Sequence, residues 1–431
     1  MRILIIYRHF WPDSPPYASL LRSIAGRLVR DGHQVEIWTE QPGYKSADTR
    51  KRAPRREQLD GIRVERFSRL PLTGHSSTIR LIDKLVFPFR SLVKGVFRKL
   101  GGSRYDLVWT ATIPPVLSGM TNRWIAKLFG ARSLYNCLDL YPEIAIHMGW
   151  LREDGLVAKC MRAVESGTRR NSDIIVTLSN DMVGTITDMV RPEGRVAVIN
   201  NFMLEEFETN GARSAGDAQL PSRDEAMRVG ARPLRMIFAG NLGLFQGLDR
   251  LVEAMRIVDR AGSCPGLELT FLGEGKALPS LKKLAQGLGN VTFEPHRPYE
   301  EARALIHAAD VGIVSLEAEI YRLAFPSKTL TYLGLGLPVL TIVEPDSELS
   351  AMIRTNGLGW VSASREPEAI AETVELMHRS YENGEDLRRH VLAWFNDNLS
   401  KDALLDRWSE EISSLAVAQA SASGSRPGKA G

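Results

Sequence analysis

Short apolar runs alternate with amphipathic helical stretches in two separate series along these 431 residues, and that alternation constrains the fold more than any other feature. In the first series Arg2 to Tyr7 reads as a buried strand, followed by a proline-rich loop (Phe10-Trp11-Pro12-Asp13-Ser14-Pro15-Pro16). Leu20, Leu21, Ile24, Leu28 and Val29 then form one stripe of a helix from about Tyr17 to Arg30. Asp31-Gly32 stops that helix before a strand from Gln34 to Thr39, which completes a β-α-β unit. Further strands are expected at Ile62 to Phe67, Leu107 to Thr110, Ser133 to Cys137, Ile174 to Leu178 and Arg195 to Ile199, with helices around 116–129 and 155–170. Strands separated by helices pair in parallel, so the class is α/β with a sheet covered on both faces.

Between Phe202 and Arg232 the periodicity dissolves into Glu, Asn, Gly, Ala, Ser, Asp and Pro, the composition of a linker. A second series follows, with strands at Leu234 to Ala239, Leu267 to Leu272, Val291 to Glu294 and Val311 to Ser315, and helices at 248–260, 278–287 and 300–308. The chain therefore divides into a Rossmann-like domain over 1–201, a linker over 202–232 and a second Rossmann-like domain over 233–399. A helix over 400–415 is long enough to return to the first domain, and the low-complexity tail 416–431 is expected to be disordered. A chain this long exceeds what one hydrophobic core supports, in keeping with two domains.

Composition excludes several classes. No apolar run approaches the roughly 18 residues of a membrane span, and Met1 to Tyr7 is too short for the core of a signal peptide, so a cytoplasmic chain is expected. Cys137, Cys160 and Cys264 have no metal-ligand spacing, which argues against a structural zinc and for a reducing compartment. The net charge of +4 conceals a local excess, because residues 50–104 carry fifteen Lys or Arg against four Asp or Glu. Within them Ile79 to Leu100 mixes Leu, Val and Phe with Arg80, Lys84, Arg90, Lys94, Arg98 and Lys99, as a segment lying on an anionic membrane does. The alternative is a solvated basic helix packed on its own domain; nucleic acid is disfavoured because the aromatics are not interleaved as stacking platforms. Pro88 predicts that the segment is not one continuous helix.

The stretch Ala324 to Ser350 holds a polar turn, a helix, a buried strand (Val339 to Val343) and another polar turn. Ser327 is suited to cap a helix whose first turn carries Lys328 and Thr329, and Ser347 to cap the next, from Glu348 to Ile353. In an open α/β sheet, ligands sit outside the carboxyl ends of such strands. A lysine in a first helical turn opposes the helix dipole unless an anion compensates it; otherwise Lys328 is an ordinary surface lysine. Two glycine-bearing loops follow strands in the same domain: Gly240-Asn241-Leu242-Gly243-Leu244-Phe245-Gln246-Gly247 and Gly273-Glu274-Gly275. Together with the Pro-Ser-Lys corner they suggest a nucleotide-diphosphate site, while the departure from GxGxxG leaves a dinucleotide enzyme a distant option.

The runs GNLGLFQGLDRLVEA, FLGEG, NVTFEP, AADVGIVSL and PSKTLTYLGLGLPVL resemble the carboxyl-terminal domain of family 4 glycosyltransferases of the GT-B fold. The resemblance is closest to the branch that includes fucosamine transferases of bacterial surface-polysaccharide assembly. FWPDSPP, DGHQVEIWTEQPGY, YDLVWTATIPP, CLDLYPE and RVAVINNF extend it through the amino-terminal half, over about residues 1–415. It implies GT-B architecture, two Rossmann-like domains facing across a cleft. It further implies a retaining, metal-independent transfer of a hexosyl or N-acetylhexosaminyl group from a nucleotide-diphosphate sugar to a saccharide acceptor, lipid-linked if the basic segment meets a membrane. No cofactor is implied beyond the sugar nucleotide, and the enzyme would lie peripherally on the inner face of the cell membrane.

Carried onto this sequence, the resemblance has Gly240, Asn241 and Gly243 frame the donor diphosphate; Asn241 and Gln246 stand where relatives have an arginine and a lysine, leaving Lys328, beside Ser327, as the cation. The family's two glutamates, seven residues apart, fall at Leu323 and Thr331, so Thr331 offers only a hydroxyl to the ribose. Gly273, Glu274, Gly275 and His296 fall where relatives meet ribose and base, His296 otherwise being a loop histidine. Asp139-Leu140-Tyr141-Pro142-Glu143 resembles the branch's Asp-Leu-Trp-Pro-Glu signature: Asp139 first, then Glu143, would bind or deprotonate the acceptor hydroxyl, unless Asp139 merely caps the following turn. Relatives carry glycines near Ser14 to Ala18, where this chain has Pro15-Pro16. Two other functions share this architecture, a nucleotide-sugar 2-epimerase and a non-catalytic sugar-nucleotide-binding partner.

Overall fold

A computed structural model describes residues 1–13, 16–43, 52–68, 77–203, 233–384 and 386–424. The described chain forms two compact units, one of Met1–Asn201 with Lys401–Gly431, the other of Phe202–Ser400. Of the expected linker, only Phe202 and Met203 are among the described residues, and Phe202 is buried.

The first unit is built on β1 (Arg2–Ile6), α1 (Pro16–Arg30), β2 (Gln34–Glu40), β3 (Arg56–Leu59), β4 (Ile62–Phe67), α2 (Ser77–Leu100), β5 (Leu107–Ala111) and α3 (Leu117–Phe129). It continues through β6 (Arg132–Asn136), α4 (Glu143–His147), α5 (Leu156–Arg170), β7 (Ile174–Thr177), α6 (Asn180–Val190) and β8 (Arg195–Val198). Its eight strands run β3-β4-β2-β1-β5-β6-β7-β8, parallel except for β3. That strand is absent from the sequence reading, which expects only parallel pairing. Asp60-Gly61, both with positive φ, turns the chain back in the two-residue hairpin that an Asp-Gly pair favours.

Helix α2 corrects a second expectation, since it passes through Pro88 without ending. Proline removes one backbone hydrogen bond, but packing outweighs the loss here. Phe87, Pro88 and Ser91 are buried on one face, and Phe87 joins Leu4, Ile6, Trp38 and Val108 in a core cluster. Gly95 sits so close to α3 that an added Cβ would lie 3.4 Å from the Ile125 side chain.

The second unit contains β9 (Leu234–Ala239), α7 (Leu248–Ala261), β10 (Leu267–Leu272), α8 (Leu278–Leu284), β11 (Val291–Glu294), α9 (Tyr299–Ala308), β12 (Val311–Ser315) and α10 (Lys328–Gly334). It is completed by β13 (Val339–Ile342), α11 (Glu348–Thr355), β14 (Gly359–Val361), α12 (Pro367–Glu382) and α13 (Arg388–Asn398), the last three beyond the elements read from sequence. The strands run β11-β10-β9-β12-β13-β14, all parallel. This is the doubly wound order in which the chain leaves β9 in one direction and returns beside it with β12, opening a crevice at the carboxyl ends of those two strands. The faces are closed by two apolar clusters, one around Phe238, Leu251, Met255 and Phe271, the other around Tyr332, Leu333, Ile353 and Phe395.

Helix α14 (Lys401–Gly424) packs on the first unit through the Trp109–Trp408 stack, with ring centroids 4.6 Å apart, and through ion pairs Arg27–Asp406 (2.5 Å) and Arg195–Glu411 (3.0 Å). It extends past Leu415 into the segment expected to be disordered. Alanine-rich sequence after Leu415 favours the helix once packing has begun it. Residues 425–431 lie outside the described part. Among the described residues, no helix is long and apolar enough to cross a membrane.

Candidate active site

In the second unit the donor-side residues come together at the β9/β12 crevice. The backbone after β9 is drawn against the backbone after β10, where Gly240 N donates to Leu272 O and Leu242 N donates to Glu274 O, each at 2.8 Å. A Cβ on Gly273 would fall 2.1 Å from Gly240 O, so this approach admits only glycine there. Gly273 N in turn donates to Glu294 O, which brings the start of the exposed loop bearing His296 alongside. Gly240, at φ 118°, leaves the space that Lys328 fills, since an added Cβ would meet the lysine Cε at 3.2 Å.

The Lys328 ammonium lies 4.6 Å from the Phe238 ring centroid. With the Gln246 amide turned to satisfy both neighbours, its oxygen accepts from Lys328 Nζ at 2.9 Å and its nitrogen donates to Asn241 O at 2.7 Å. No carboxylate pairs with Lys328 among the described residues, and burial lowers its pKa to about 8. Gly240, Asn241, Gly243, Gln246 and Lys328 therefore form one cluster, with Thr331 one turn further along α10. Ser327 is exposed and makes no side-chain cap, contrary to expectation: it has αR rather than extended backbone, and its carbonyl accepts from Leu330 N instead. Ser347 does cap, accepting from Ser350 N at 3.2 Å.

Leu323 is buried. Sequence reasoning passed over a different carboxylate, Glu317, just past β12. An added Cβ on Gly247 would lie 3.2 Å from Glu317 Oε1, and Arg365 Nη2 pairs with Glu317 at 3.3 Å. Its place at a strand end beside the switch point is the signal that marks it.

In the first unit Asp139 follows β6, and no hydrogen bond or ion pair to its carboxylate is found among the described residues. Burial raises its pKa to about 6. It does not cap α4, whose N-cap is Pro142 without a side-chain bond. Glu143 differs, lying 3.5 Å from Arg162 and 3.7 Å from Arg169. Arg169 is almost fully buried; it donates to Tyr141 O at 2.6 Å and lies 3.6 Å from Glu165, which accepts from Tyr135 OH at 3.0 Å. Arg169 thus ties both ends of the Tyr141–Glu143 segment to α5 and leaves Asp139 outside the network.

A second pair was not singled out from sequence. His9 Nδ1 and Asp13 Oδ2 stand 2.7 Å apart, both buried, in the loop after β1, and Asp13 Oδ1 accepts from Gly43 N at 3.1 Å. Tyr17, at the start of α1, accepts from Asn136 at the end of β6, which fixes this loop beside the Asp139 strand. Ser14 and Pro15 lie outside the described residues. Among the described residues, no group of three His, Cys, Asp or Glu side chains is disposed to hold a metal ion. A cavity of about 450 Å³ lies at the opposite edge of the first sheet, lined by Arg2, Glu36, Arg63, Arg98, Arg104 and Tyr105, and does not include Asp139.

Two open α/β sheets, parallel except for β3 and each with polar side chains at its carboxyl edge, fit the GT-B fold class. Residues 17–201 match the glycosyl transferase 4-like domain and residues 224–391 match glycosyl transferases group 1, so the chain belongs to the GT-B glycosyltransferases. It is 26% identical to the probable glycosyltransferase WbjE of Pseudomonas aeruginosa over 63% of this chain and 66% of that protein. It is 24% identical to the putative colanic acid biosynthesis glycosyl transferase WcaI of Escherichia coli over 87% of this chain and 90% of that one. Among solved structures, the sucrose-phosphate synthase of Thermosynechococcus elongatus superposes with a TM-score of 0.70 at 16% identity, covering 97% of this chain and 99% of that one. Anabaena HepE in complex with UDP superposes at 0.63 and 15% identity, covering 96% and 100%.

Proposed function

We propose that this chain is a retaining, metal-independent glycosyltransferase. In this reading it moves a hexosyl or N-acetylhexosaminyl group from a nucleotide-diphosphate sugar to a lipid-linked saccharide in bacterial surface or exopolysaccharide synthesis, as in the fucosamine-transferase-like branch. The name of WcaI and the UDP held by HepE support the pathway type and the donor class. The observation that carries the reading is Lys328, a half-buried ammonium with no carboxylate partner among the described residues, lying against the backbone of Gly240.

A partly buried charge without a counter-charge is destabilising, and a donor diphosphate would supply the counter-charge. As the bond from the anomeric carbon to the donor oxygen breaks, negative charge builds on the departing diphosphate, and Lys328 with the Gly240–Gly243 backbone stabilises it. Asp139 accepts the hydrogen bond of the acceptor hydroxyl and orients it, while a departing phosphate oxygen takes the proton. Glu143 holds the Asp139 loop through Arg169 rather than touching the acceptor. Thr331, Gly273, Glu274, Gly275 and His296 line the way to ribose and base. The enzyme would work at the cytoplasmic face of the membrane, where sugar nucleotides are made.

The replacement of the family's glutamate pair by Leu323 and Thr331 keeps a second reading, a non-catalytic sugar-nucleotide binder. One experiment separates the possibilities: the protein is incubated with UDP-, GDP- and dTDP-sugars and a bacterial membrane-lipid extract, and nucleotide release and lipid labelling are followed. Label entering lipid from one donor is the expected result. Donor binding with neither release nor labelling would favour the binder, and an epimerised sugar formed without acceptor would favour the epimerase.

A further inference from the structure

Helix α2 presents two unlike faces. Its inner face holds Phe87, Ser91 and Gly95 against the sheet and α3. Its outer face carries Leu85, Phe89, Val93, Val96, Phe97 and Leu100, spaced by three or four residues along one side, with Phe89 66%, Phe97 69% and Leu100 79% exposed. Trp124 on α3 is likewise exposed. A run of large apolar side chains in water is a patch that asks for a cover.

Three of the basic residues of the helix, Arg90, Lys94 and Arg98, are turned to partners of their own unit. Lys94 pairs with Glu65 at 2.6 Å and stands over the Trp38 ring, Arg98 reaches Glu36 at 2.8 Å and also Glu65, and Arg90 donates to Ser68 O. Much of the local charge excess read from sequence is thus spent on two buried carboxylates. Positive charge does remain around the stripe. Lys99, Arg104 and Lys127 are exposed, and Arg2, Arg63 and Arg104 line the cavity at the carboxyl end of α2, where Glu36 pairs with Arg98 and, at 3.7 Å, with the largely exposed Arg63. Residues 67–136 contain only two acidic residues, Asp83 and Asp106, and the Asp106 carboxylate is engaged by Arg2 N.

That charge pattern selects the occupant. In a second copy packed about a two-fold axis, this cationic surround would face itself, a repulsive arrangement. An anionic bilayer offers acyl chains to the stripe and phosphates to its rim. We infer that the outer face of α2 docks the first unit on an anionic phospholipid surface, its apolar side chains entering the acyl boundary and the arginines at its carboxyl end meeting headgroup phosphates. This deepens the proposed reading of a lipid-linked acceptor and rests on it for its purpose, but its test needs neither donor nor turnover.

The full chain is floated with vesicles of phosphatidylcholine alone and of phosphatidylcholine mixed with phosphatidylglycerol. Wild type should float with the mixed vesicles and at least roughly tenfold less with the neutral ones, since each basic residue near the surface adds to the attraction. The double variant Phe89→Ser/Phe97→Ser alters only exposed positions and should keep the wild-type thermal melt, yet lose most vesicle association. Arg63→Gln/Arg104→Gln should narrow the difference between the two vesicle types. Failure of wild type to float, or flotation unchanged in the Phe double variant, overturns the inference; so does a dimer in solution that the Phe substitutions dissolve. Transfer to a detergent-dispersed acceptor, measured in parallel, reports on the functional reading separately.

Discussion

Asp139 in the first unit and Lys328 in the second occupy corresponding places, each in the connection that follows a parallel strand, and each is a charged group without a counter-charge. Their pKa values are displaced in opposite directions toward neutrality by the same cause, burial. The surroundings differ. Around Asp139 the neighbouring charges are paired with one another, Arg169 and Arg162 lying beside Glu143 and Arg169 beside Glu165, and the Asp139 carboxylate stands outside that network. Around Lys328 there is no ion pair among the described residues, only glycine backbone, the Gln246 amide that accepts from it and an aromatic ring. A rigid polar cage suits a group that must orient one hydroxyl. A cation without a carboxylate, set against glycine backbone, suits a bulky anion that arrives and leaves.

The contrast breaks most visibly at Asp139. Asp139→Asn should lower turnover by about 10²–10⁴-fold with donor affinity kept, as removal of an acid–base or orienting group does. Because the carboxylate must be ionised to accept the hydroxyl, kcat/KM in wild type should fall as pH drops through about 6. Wild-type turnover in the variant would return Asp139 to a structural role.

Arg169→Met tests the cage. Removing one member of a buried ion-pair network leaves Glu165 without an ion-pair partner and Glu143 with Arg162 alone, at a cost of about 3–5 kcal/mol. Thermal unfolding should register the loss, and acceptor KM should rise more than donor KM because the Tyr141 carbonyl is released. Equal changes in both would mean that Arg169 supports the unit generally.

Lys328→Ala probes the opposite design with a smaller effect, a loss of ~2 kcal/mol in donor affinity and little change in stability. In wild type the affinity should weaken as pH rises through about 8, where the ammonium loses its proton, and this pH dependence should vanish in the variant. Titration calorimetry with a nucleoside diphosphate at several pH values checks both, and unchanged affinity would remove Lys328 from the donor site.

Much of the fold is legible in the sequence. Alternating apolar runs specify parallel strands because buried strands and amphipathic helices have different periods. β4, β9, β10, β11 and β12 lie at the ranges read for them, and Gly240, Gly273 and Lys328 stand out because glycine loops and a lysine in a first helical turn are locally unusual. What stayed hidden depends on partners distant in sequence. Pro88 remains in a continuous helix because the sheet and α3 hold both sides of it. The inward pairing of Lys94 and Arg98 depends on where β2 and β4 put Glu36 and Glu65.

The sequence by itself determined the class, two parallel α/β units, and the chemical kinds of residue available at strand ends, because both follow from local periodicity and local turn chemistry. Only the tertiary structure decided which of those residues act together. Lys328 meets Gly240 because strand order sets β12 beside β9. Asp139 is left free because Arg169, thirty residues on, claims Glu143 and the Tyr141 carbonyl instead. Contacts between residues so far apart are settled by sheet topology and by competition for a few counter-charges, neither of which a local pattern encodes.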